Sequence, residues 1–191
     1  MGDMTEKMSV VNLLIMGLLF EKSMSAYEIA QIVDNGIVGR LLKVSSPAVY
    51  KNIKELHRAG YLEAEKARTG EMPEKKIYSI TDTGKLHFLS LMEHFSTNVN
   101  ACYFDFNTLL INIDKVDRKK GLEMLNSLRD QFYRWKTWIV GHEQEARARN
   151  VHFGGKAVIK QYRMMAYMLI AWIEEVIEEY RHAEDLGKGP F

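Results

Sequence analysis

The sequence predicts a mainly α-helical protein in two parts. The first part has three short helices followed by two strands, and the second part has two long antiparallel helices. Two observations support this architecture. Apolar residues recur every three or four positions over most of the chain, as they do on one face of a helix. A short alternating pattern lies on both sides of a turn that contains Gly70 and Pro73, as in a β-hairpin.

Composition limits the functions that the chain can have. Its 191 residues and 22.1 kDa suit one small domain with an appendage, and the hydrophobic fraction of 47% excludes wholesale disorder. The formal net charge of +1 gives no general affinity for nucleic acid. Between Arg40 and Lys76, however, nine lysines and arginines stand against five glutamates. A nucleic-acid function therefore has to rest on this local positive charge.

The segment from Lys43 to Tyr61 carries the clearest helix signals in the chain. Ser46 is a preferred N-cap, Pro47 suits the first helical position, and Gly60 favours the left-handed conformation that closes a helix. The apolar stripe consists of Val49, Ile53 and Leu56. The residues that this stripe leaves facing outward are Ala48, Lys51, Lys54, Glu55 and Arg58. The helix is therefore predicted to bury one face and to leave a basic face open.

The residues after this helix predict a two-stranded ribbon. The strands are predicted at 61–68 and 75–80, with Tyr78 and Ile80 facing inward. Lysines and an arginine lie toward the tip of the ribbon: Lys66, Arg68, Lys75 and Lys76. This order of elements, in which two helices precede a basic-faced third helix and a ribbon, is that of a winged helix-turn-helix. In that fold the third helix enters the major groove.

Three runs of sequence carry a resemblance to a known family. The runs AYEIAQIV at 26–33, SSPAVYKNIKELHRAGYLEAE at 45–65 and KKIYSITDTGK at 75–85 resemble the PadR family of transcriptional regulators. AYMLIAWIEEVIEEY at 166–180 resembles the last helix of the C-terminal dimerisation domain in the longer subfamily, which is shared with virulence-gene activators. Where the family often has a proline after the tyrosine of the recognition helix, this chain has Lys51 after Tyr50. The resemblance implies a sequence-specific DNA-binding regulator, a repressor, that binds a near-palindromic operator as a homodimer.

The candidate DNA-binding residues lie in three places. Ser25 forms a predicted capping box with Glu28 at the start of the second helix, and its hydroxyl is expected to hold a phosphate there with that of Tyr27. Packing of Tyr27 on the core is the alternative. On the third helix, Lys51 is expected to reach base edges. The full predicted set is Ser25, Tyr27, Ser45, Ser46, Tyr50, Lys51, Lys54, Lys66, Arg68, Lys75 and Lys76.

The second part begins, on this interpretation, after a domain boundary between residues 95 and 96, so that the domains are 1–95 and 96–191. A short helix is expected within 101–114, and long helices are expected over about 118–149 and 156–184, the first capped by Asp117. Because the apolar seam of the last helix is longer than one partner helix covers, a second copy of the chain is expected to cover it. The predicted dimer interface consists of Met165, Leu169, Trp172, Ile173, Val176 and Tyr180.

Other classes of function find little support in the residues. The six histidines lack metal-ligand spacing and no glycine-rich phosphate loop follows a strand, so no enzyme, cofactor or metal site is predicted. Cys102 is the only cysteine, which favours a cytoplasmic protein without disulfides, and the residue is expected to be buried. No apolar run is long enough for a membrane span. Two alternatives remain: a winged-helix protein-protein adaptor, and a regulator gated by a small apolar effector held by Trp135, Trp138, Trp172, Met164, Met165 and Met168.

Overall fold

The computed structural model describes residues 9–67, 75–99, 102–148 and 151–183. The chain divides into two compact units, Met1–Ala101 and Cys102–Phe191. This division lies a few residues beyond the predicted boundary, which falls within the last turn of a helix that ends at Thr97. No helix in the described ranges is long and apolar enough to cross a membrane.

The first unit has the predicted order of helices and strands, with one additional helix and one additional strand. Its elements are α1 (Val10–Glu21), β1 (Met24–Ser25), α2 (Ala26–Asn35), α3 (Ile37–Leu42), α4 (Ser46–Arg58), β2 (Leu62–Ala67), β3 (Lys75–Ile80) and α5 (Asp82–Thr97). The core brings together buried side chains of α1, α2 and α4, with Tyr78 of β3 and Leu91 of α5. The mainly helical winged fold predicted from the sequence is confirmed.

Helix α4 buries the predicted stripe and ends as predicted. Val49, Ile53 and Leu56 are buried. After the helix, Gly60 has a φ of +80°, its N–H donates to the carbonyl of His57, and the N–H of Tyr61 donates to the carbonyl of Leu56. These two hydrogen bonds form a Schellman motif, which satisfies carbonyls at the end of the helix. The glycine therefore closes the helix with a conformation that a side chain would oppose.

The connection before α4 differs from the sequence analysis in two ways. It contains α3, a helix that was not predicted, whose apolar residues are spaced by three or four positions, as one helical turn allows. Ser46 is the first residue of α4 rather than its N-cap, and Ser45 occupies the cap position without a side-chain cap hydrogen bond. The Ser46 hydroxyl instead donates to the carboxylate of Asp34 at the end of α2. A tertiary hydrogen bond therefore replaces the predicted local cap.

The wing is a three-stranded antiparallel sheet in the order β1, β3, β2. The third strand, which the sequence analysis did not predict, is the short β1, where Met24 pairs with Tyr78 and Ser25 with Ile77. Strand β2 pairs with β3 from Leu62 opposite Ile80 to Ala67 opposite Lys75. The predicted turn and Arg68 lie outside the described residues.

The second unit is built on two long antiparallel helices, as predicted. Its elements are α6 (Asn107–Ile111), a 3₁₀-helix (Ile113–Lys115), α7 (Arg118–Ala148) and α8 (Phe153–His182). The carboxylate of Asp117 accepts a hydrogen bond from the N–H of Lys120 at 2.9 Å, which confirms the predicted cap. Helix α8 begins earlier than predicted because His152 caps it, its Nδ1 accepting from the N–H of Gly155 at 3.4 Å. Cys102 is exposed, so the expectation that it would be buried is wrong.

The residues predicted to form the dimer interface on α8 pack against other residues of the same chain. Leu169, Ile173 and Tyr180 are only 4%, 0% and 7% exposed, and they belong to the core that α8 forms with α7. Met165, Trp172 and Val176 are half-buried and pack against the same core. The Tyr180 hydroxyl donates to the carbonyl of Ile113 at 3.3 Å. The assignment of Leu169, Ile173 and Tyr180 to a dimer interface is therefore wrong, because side chains already enclosed by their own chain have no surface left for a partner.

Candidate nucleic-acid interface

The open face of α4 has the predicted character. Lys51, Lys54, Glu55 and Arg58 are all exposed. The Nζ of Lys51 lies 3.9 Å from a carboxylate oxygen of Glu55 in the next turn, and both side chains are largely exposed. Such exposed pairs contribute little to stability, so Lys51 can exchange this partner for another acceptor at small cost. Tyr50 is also exposed, at the edge of the same face.

The two serines at the start of α4 differ in their environments. Ser45 is exposed and makes no side-chain cap hydrogen bond. The Ser46 hydroxyl is engaged by Asp34, which fixes the start of α4 to the end of α2. Ser46 therefore positions the helix, while Ser45 is the exposed serine at this end.

Ser25 is buried in the N-terminal cap of α2. Its side chain is buried, and its hydroxyl donates to Glu28 at 2.6 Å while accepting from the Glu28 N–H at 3.3 Å. The backbone N–H of Ser25 also donates to the Glu28 carboxylate, at 2.7 Å. The predicted capping box is confirmed. Because the glutamate already supplies the negative charge that a helix N-terminus attracts, the prediction that Ser25 holds a phosphate is wrong.

We expect Ser25→Ala to destabilise the start of α2 by about 1 kcal/mol, because the N–H of Glu28 and the Glu28 carboxylate both lose a hydrogen-bonding partner. Hydrogen exchange of the α2 amides should therefore accelerate in the variant. Thr81, whose hydroxyl oxygen caps α5 by accepting from the Gly84 N–H at 3.0 Å, offers a matched control. Thr81→Ala should accelerate exchange in α5 and leave α2 unchanged.

The same box gives the stability of this unit a pH dependence. Hydrogen bonds from the Ser25 hydroxyl and then the Ser25 backbone N–H hold the pKa of Glu28 below its ordinary value, and Lys75 adds to the effect. A lowered carboxyl pKa stabilises the fold above the unfolded-chain value of about 4.3, and this stabilisation is lost as the pH falls through the folded-state pKa. Wild-type protein should therefore lose more stability on acidification than Ser25→Ala. Equal losses in acid titrations of the two proteins would contradict this account.

Tyr27 is directed to solvent at the start of α2. It is 62% exposed, and its hydroxyl accepts a hydrogen bond from the Gln31 side-chain amide one turn later, at 2.7 Å. Packing of Tyr27 on the core, the alternative left by the sequence, is wrong. Since the amide donates to the hydroxyl oxygen, the O–H hydrogen is left to be donated to an acceptor outside the chain.

The wing places two lysines side by side. Lys66 of β2 lies directly opposite Lys76 of β3, and both residues are exposed. Side chains opposite one another in an antiparallel pair project from the same face, and like charges in this arrangement destabilise the sheet. Lys75 has a different role, because its Nζ lies 3.8 Å from the Glu28 carboxylate. In the described part of the wing, positive charge is therefore concentrated at Lys66 and Lys76.

Sequence reasoning missed two residues that shape this surface. Asp34 binds Ser46 across a gap in sequence that no local pattern connects. Gln31 binds Tyr27, and its spacing of one helical turn could have indicated this. In the part of the chain that the structure describes, no group of three or more histidine, cysteine or acidic residues is arranged to hold a metal ion.

Comparison with known proteins agrees with this geometry. The model of the family described as "Transcriptional regulator PadR-like family" matches residues 15–89, from α1 to α5. The first unit is a PadR-like domain. A comparison of the whole chain with curated proteins finds no match.

Solved structures extend the similarity in fold to the second unit. Bacillus subtilis PadR in complex with operator DNA has a TM-score of 0.80 and 18% identity, with 92% of this chain and 99% of that chain covered. The same protein in complex with p-coumaric acid has a TM-score of 0.78 and 17% identity, with coverage of 94% and 99%. The Vibrio cholerae virulence activator AphA has a TM-score of 0.65 and 17% identity, with coverage of 90% and 98%. The PadR-like domain and the helical unit after it therefore share the fold of these regulators.

Proposed function

We propose that this protein is a transcriptional regulator, a repressor, that binds a near-palindromic operator as a homodimer in the cytoplasm. The observation that carries the proposal is the open basic face of α4 in a PadR-like winged domain. A neighbour in fold, Bacillus subtilis PadR, has been crystallised with operator DNA, and its similarity supports the same class of ligand here. The function involves binding rather than catalysis.

The exposed side chains of the domain suit different parts of a DNA duplex. Lys51, on the second turn of α4, reaches base edges in the major groove, with Lys54 following it along the helix. The hydroxyls of Tyr27 and Tyr50 donate to phosphates beside the groove. Lys66 and Lys76 lie against the phosphate backbone, where a polyanion relieves their mutual repulsion. In this arrangement α4 recognises the DNA sequence, and contacts from α2 and the wing to phosphates fix the position of the domain on the duplex.

A footprint of the purified protein on the DNA that flanks its own gene tests the proposal. A protected near-palindrome with half-sites about one helical turn apart is expected, because a twofold dimer places two copies of α4 in successive major grooves. Binding should weaken steeply with added salt as counterions are released. If the protein is instead a winged-helix adaptor that binds another protein, it will leave duplex DNA unprotected at every salt concentration.

Gating by a small apolar effector is a second proposal, supported by the structure of Bacillus subtilis PadR with p-coumaric acid. In this chain the tryptophans have aromatic neighbours of their own: the Trp135 ring lies 6.1 Å from that of Tyr162, and the Trp172 ring lies 5.9 Å from that of Phe106. Titration with a planar phenolic acid should quench tryptophan fluorescence saturably and release operator DNA over the same concentrations. Quenching without release would count against gating.

A further inference from the structure

Helix α3 ends in a backbone conformation that its last residue disfavours. Lys43, the C-cap of α3, has a φ of +51° and a ψ of +38°, which is the left-handed region. Within the described ranges it is the one residue other than glycine with a positive φ. A Cβ destabilises this conformation because it approaches the carbonyl oxygen, and the residues that adopt it readily are glycine and, less often, asparagine and aspartate. After α4 the chain has Gly60 in a conformation of the same kind.

Contacts of the backbone enforce this turn. The N–H groups of Lys43 and Val44 both donate to the carbonyl of Gly39, which closes α3. Gly39 itself lies so close to α2 that a Cβ there would be 2.1 Å from the carbonyl oxygen of Val33. Helix α3 is therefore packed tightly against α2, and the chain has to turn at residue 43 in order to begin α4 at Ser46. The strain belongs to the position, so the presence of a lysine there needs a separate explanation.

The side chain of Lys43 makes no contribution to the fold that would offset this strain. It is exposed. Within the ranges that the structure describes, ion pairs engage Lys51, Lys75 and Lys85 but not Lys43. A glycine at position 43 would keep both backbone hydrogen bonds and remove the unfavourable Cβ. The stability of the domain therefore does not account for the lysine.

The position of Lys43 is significant for DNA binding. It lies two residues before Ser45, the N-cap of α4, and the N-terminal end of a recognition helix is the end that approaches the groove. Asp34 brings a negative charge to the same place, because its carboxylate accepts a hydrogen bond from the Ser46 hydroxyl. A DNA phosphate near the start of α4 would be repelled by this carboxylate. A lysine in the adjoining turn offsets that repulsion.

We propose that Lys43 binds a phosphate of the DNA backbone where α4 enters the major groove, and that the domain is less stable because a lysine occupies this turn. The inference rests on the proposed function and adds to it a positioning residue. Contacts to phosphates fix the orientation of a domain on the duplex without reading its sequence. Residues held in disfavoured backbone conformations cluster at functional sites, where the ligand rather than the fold requires the side chain.

Three substitutions separate the charge of Lys43 from its backbone strain. Lys43→Gln removes the charge and keeps a long side chain at positive φ, whereas Lys43→Gly removes both. Each should lower the affinity of the full chain for operator and scrambled DNA alike, by about threefold to tenfold at 0.1 M salt, and should make the slope of log affinity against log salt shallower by about 0.9. Lys43→Arg keeps the charge and should recover the wild-type affinity to within about twofold.

Hydrogen exchange of the full chain measures the strain independently of DNA. Lys43→Gly should slow the exchange of the core amides of the first unit by about threefold to fivefold, because the native turn no longer holds a Cβ in the left-handed region. The other two substitutions keep the Cβ and should leave these rates within about twofold of wild type. Amides of the second unit provide the internal reference and should exchange equally in all four proteins.

Lys85→Gln is the matched control for charge, since it removes a lysine on α5 and should change neither the affinity for DNA nor the salt slope. A Lys43→Gly protein that binds DNA as tightly as wild type would overturn the inference, as would one whose first unit exchanges faster than wild type. Loss of affinity for the operator alone would also overturn it, because that result indicates a base contact. In these cases operator binding by wild type leaves the proposed function standing, whereas a wild type that binds no DNA would refute both.

Discussion

Gly121→Ala is expected to destabilise the second unit by about 1 to 3 kcal/mol, the range typical of forcing atoms into a packed core. A Cβ at position 121 would lie 2.2 Å from the hydroxyl oxygen of Tyr180 and 2.7 Å from the ring carbon that carries it. The ring cannot move away cheaply, because Tyr180 is buried and its hydroxyl donates to the carbonyl of Ile113. The substitution therefore has to displace a buried aromatic ring or separate α7 from α8.

Urea denaturation monitored by tryptophan fluorescence reports the unfolding of the second unit. All three tryptophans, at positions 135, 138 and 172, lie in that unit. Gly141→Ala is the control, since it makes the same change in the same helix where a Cβ meets nothing within 4 Å. That variant should be more stable than wild type by about 0.5 to 1 kcal/mol, as alanine is the better helix former.

A double-mutant cycle distinguishes the proposed clash from a general intolerance of position 121. In a Tyr180→Leu background, the cost of Gly121→Ala should fall substantially, because the atoms that the Cβ would meet are gone. The same cost in both backgrounds would show that Tyr180 does not enforce the glycine.

The sequence predicted best where the physical signal is local. The cap of α2 by Ser25 and Glu28, the apolar stripe of α4 and the glycine that closes it all depend on residues within one or two helical turns, and all were found. The basic face of α4 followed from the same periodicity. An element whose buried stripe is narrow and strongly apolar leaves only one choice for its outward face.

The predictions failed where a local pattern allowed two uses of the same residue. Ser25 was assigned both to a capping box and to a phosphate, although one hydroxyl pointed at Glu28 cannot also reach outward. Helix α8 has two apolar stripes, one through Ile173 and one through Met168, and periodicity alone does not say which one meets α7. The packing of buried side chains between the two helices decides this, as where Tyr180 lies against Gly121, and such contacts join positions far apart in sequence.

We expect two lysine-to-alanine substitutions in the PadR-like domain to have different effects, one on the recognition of DNA sequence and the other on binding to the DNA backbone. Lys51→Ala should reduce the preference for operator over scrambled DNA by about 1 to 3 kcal/mol, the contribution of a specific contact to a base edge. Total affinity should also fall, because Glu55, which lies 3.9 Å from Lys51, would face the DNA without its partner. Titration of each protein against both duplexes at several salt concentrations provides the measurement.

Lys76→Ala should weaken DNA binding without changing the preference for operator DNA and without destabilising the fold. Affinity for both duplexes should fall alike, and the slope of log affinity against log salt should become shallower by about 0.9, the change for one phosphate contact. The free energy of unfolding should not fall, because removing this lysine relieves its repulsion from Lys66 across the sheet. Lys85→Ala removes an exposed lysine that pairs with Asp82 on α5, and it should change neither specificity nor salt slope. If Lys51→Ala and Lys76→Ala behave like this control, α4 and the wing do not contact DNA.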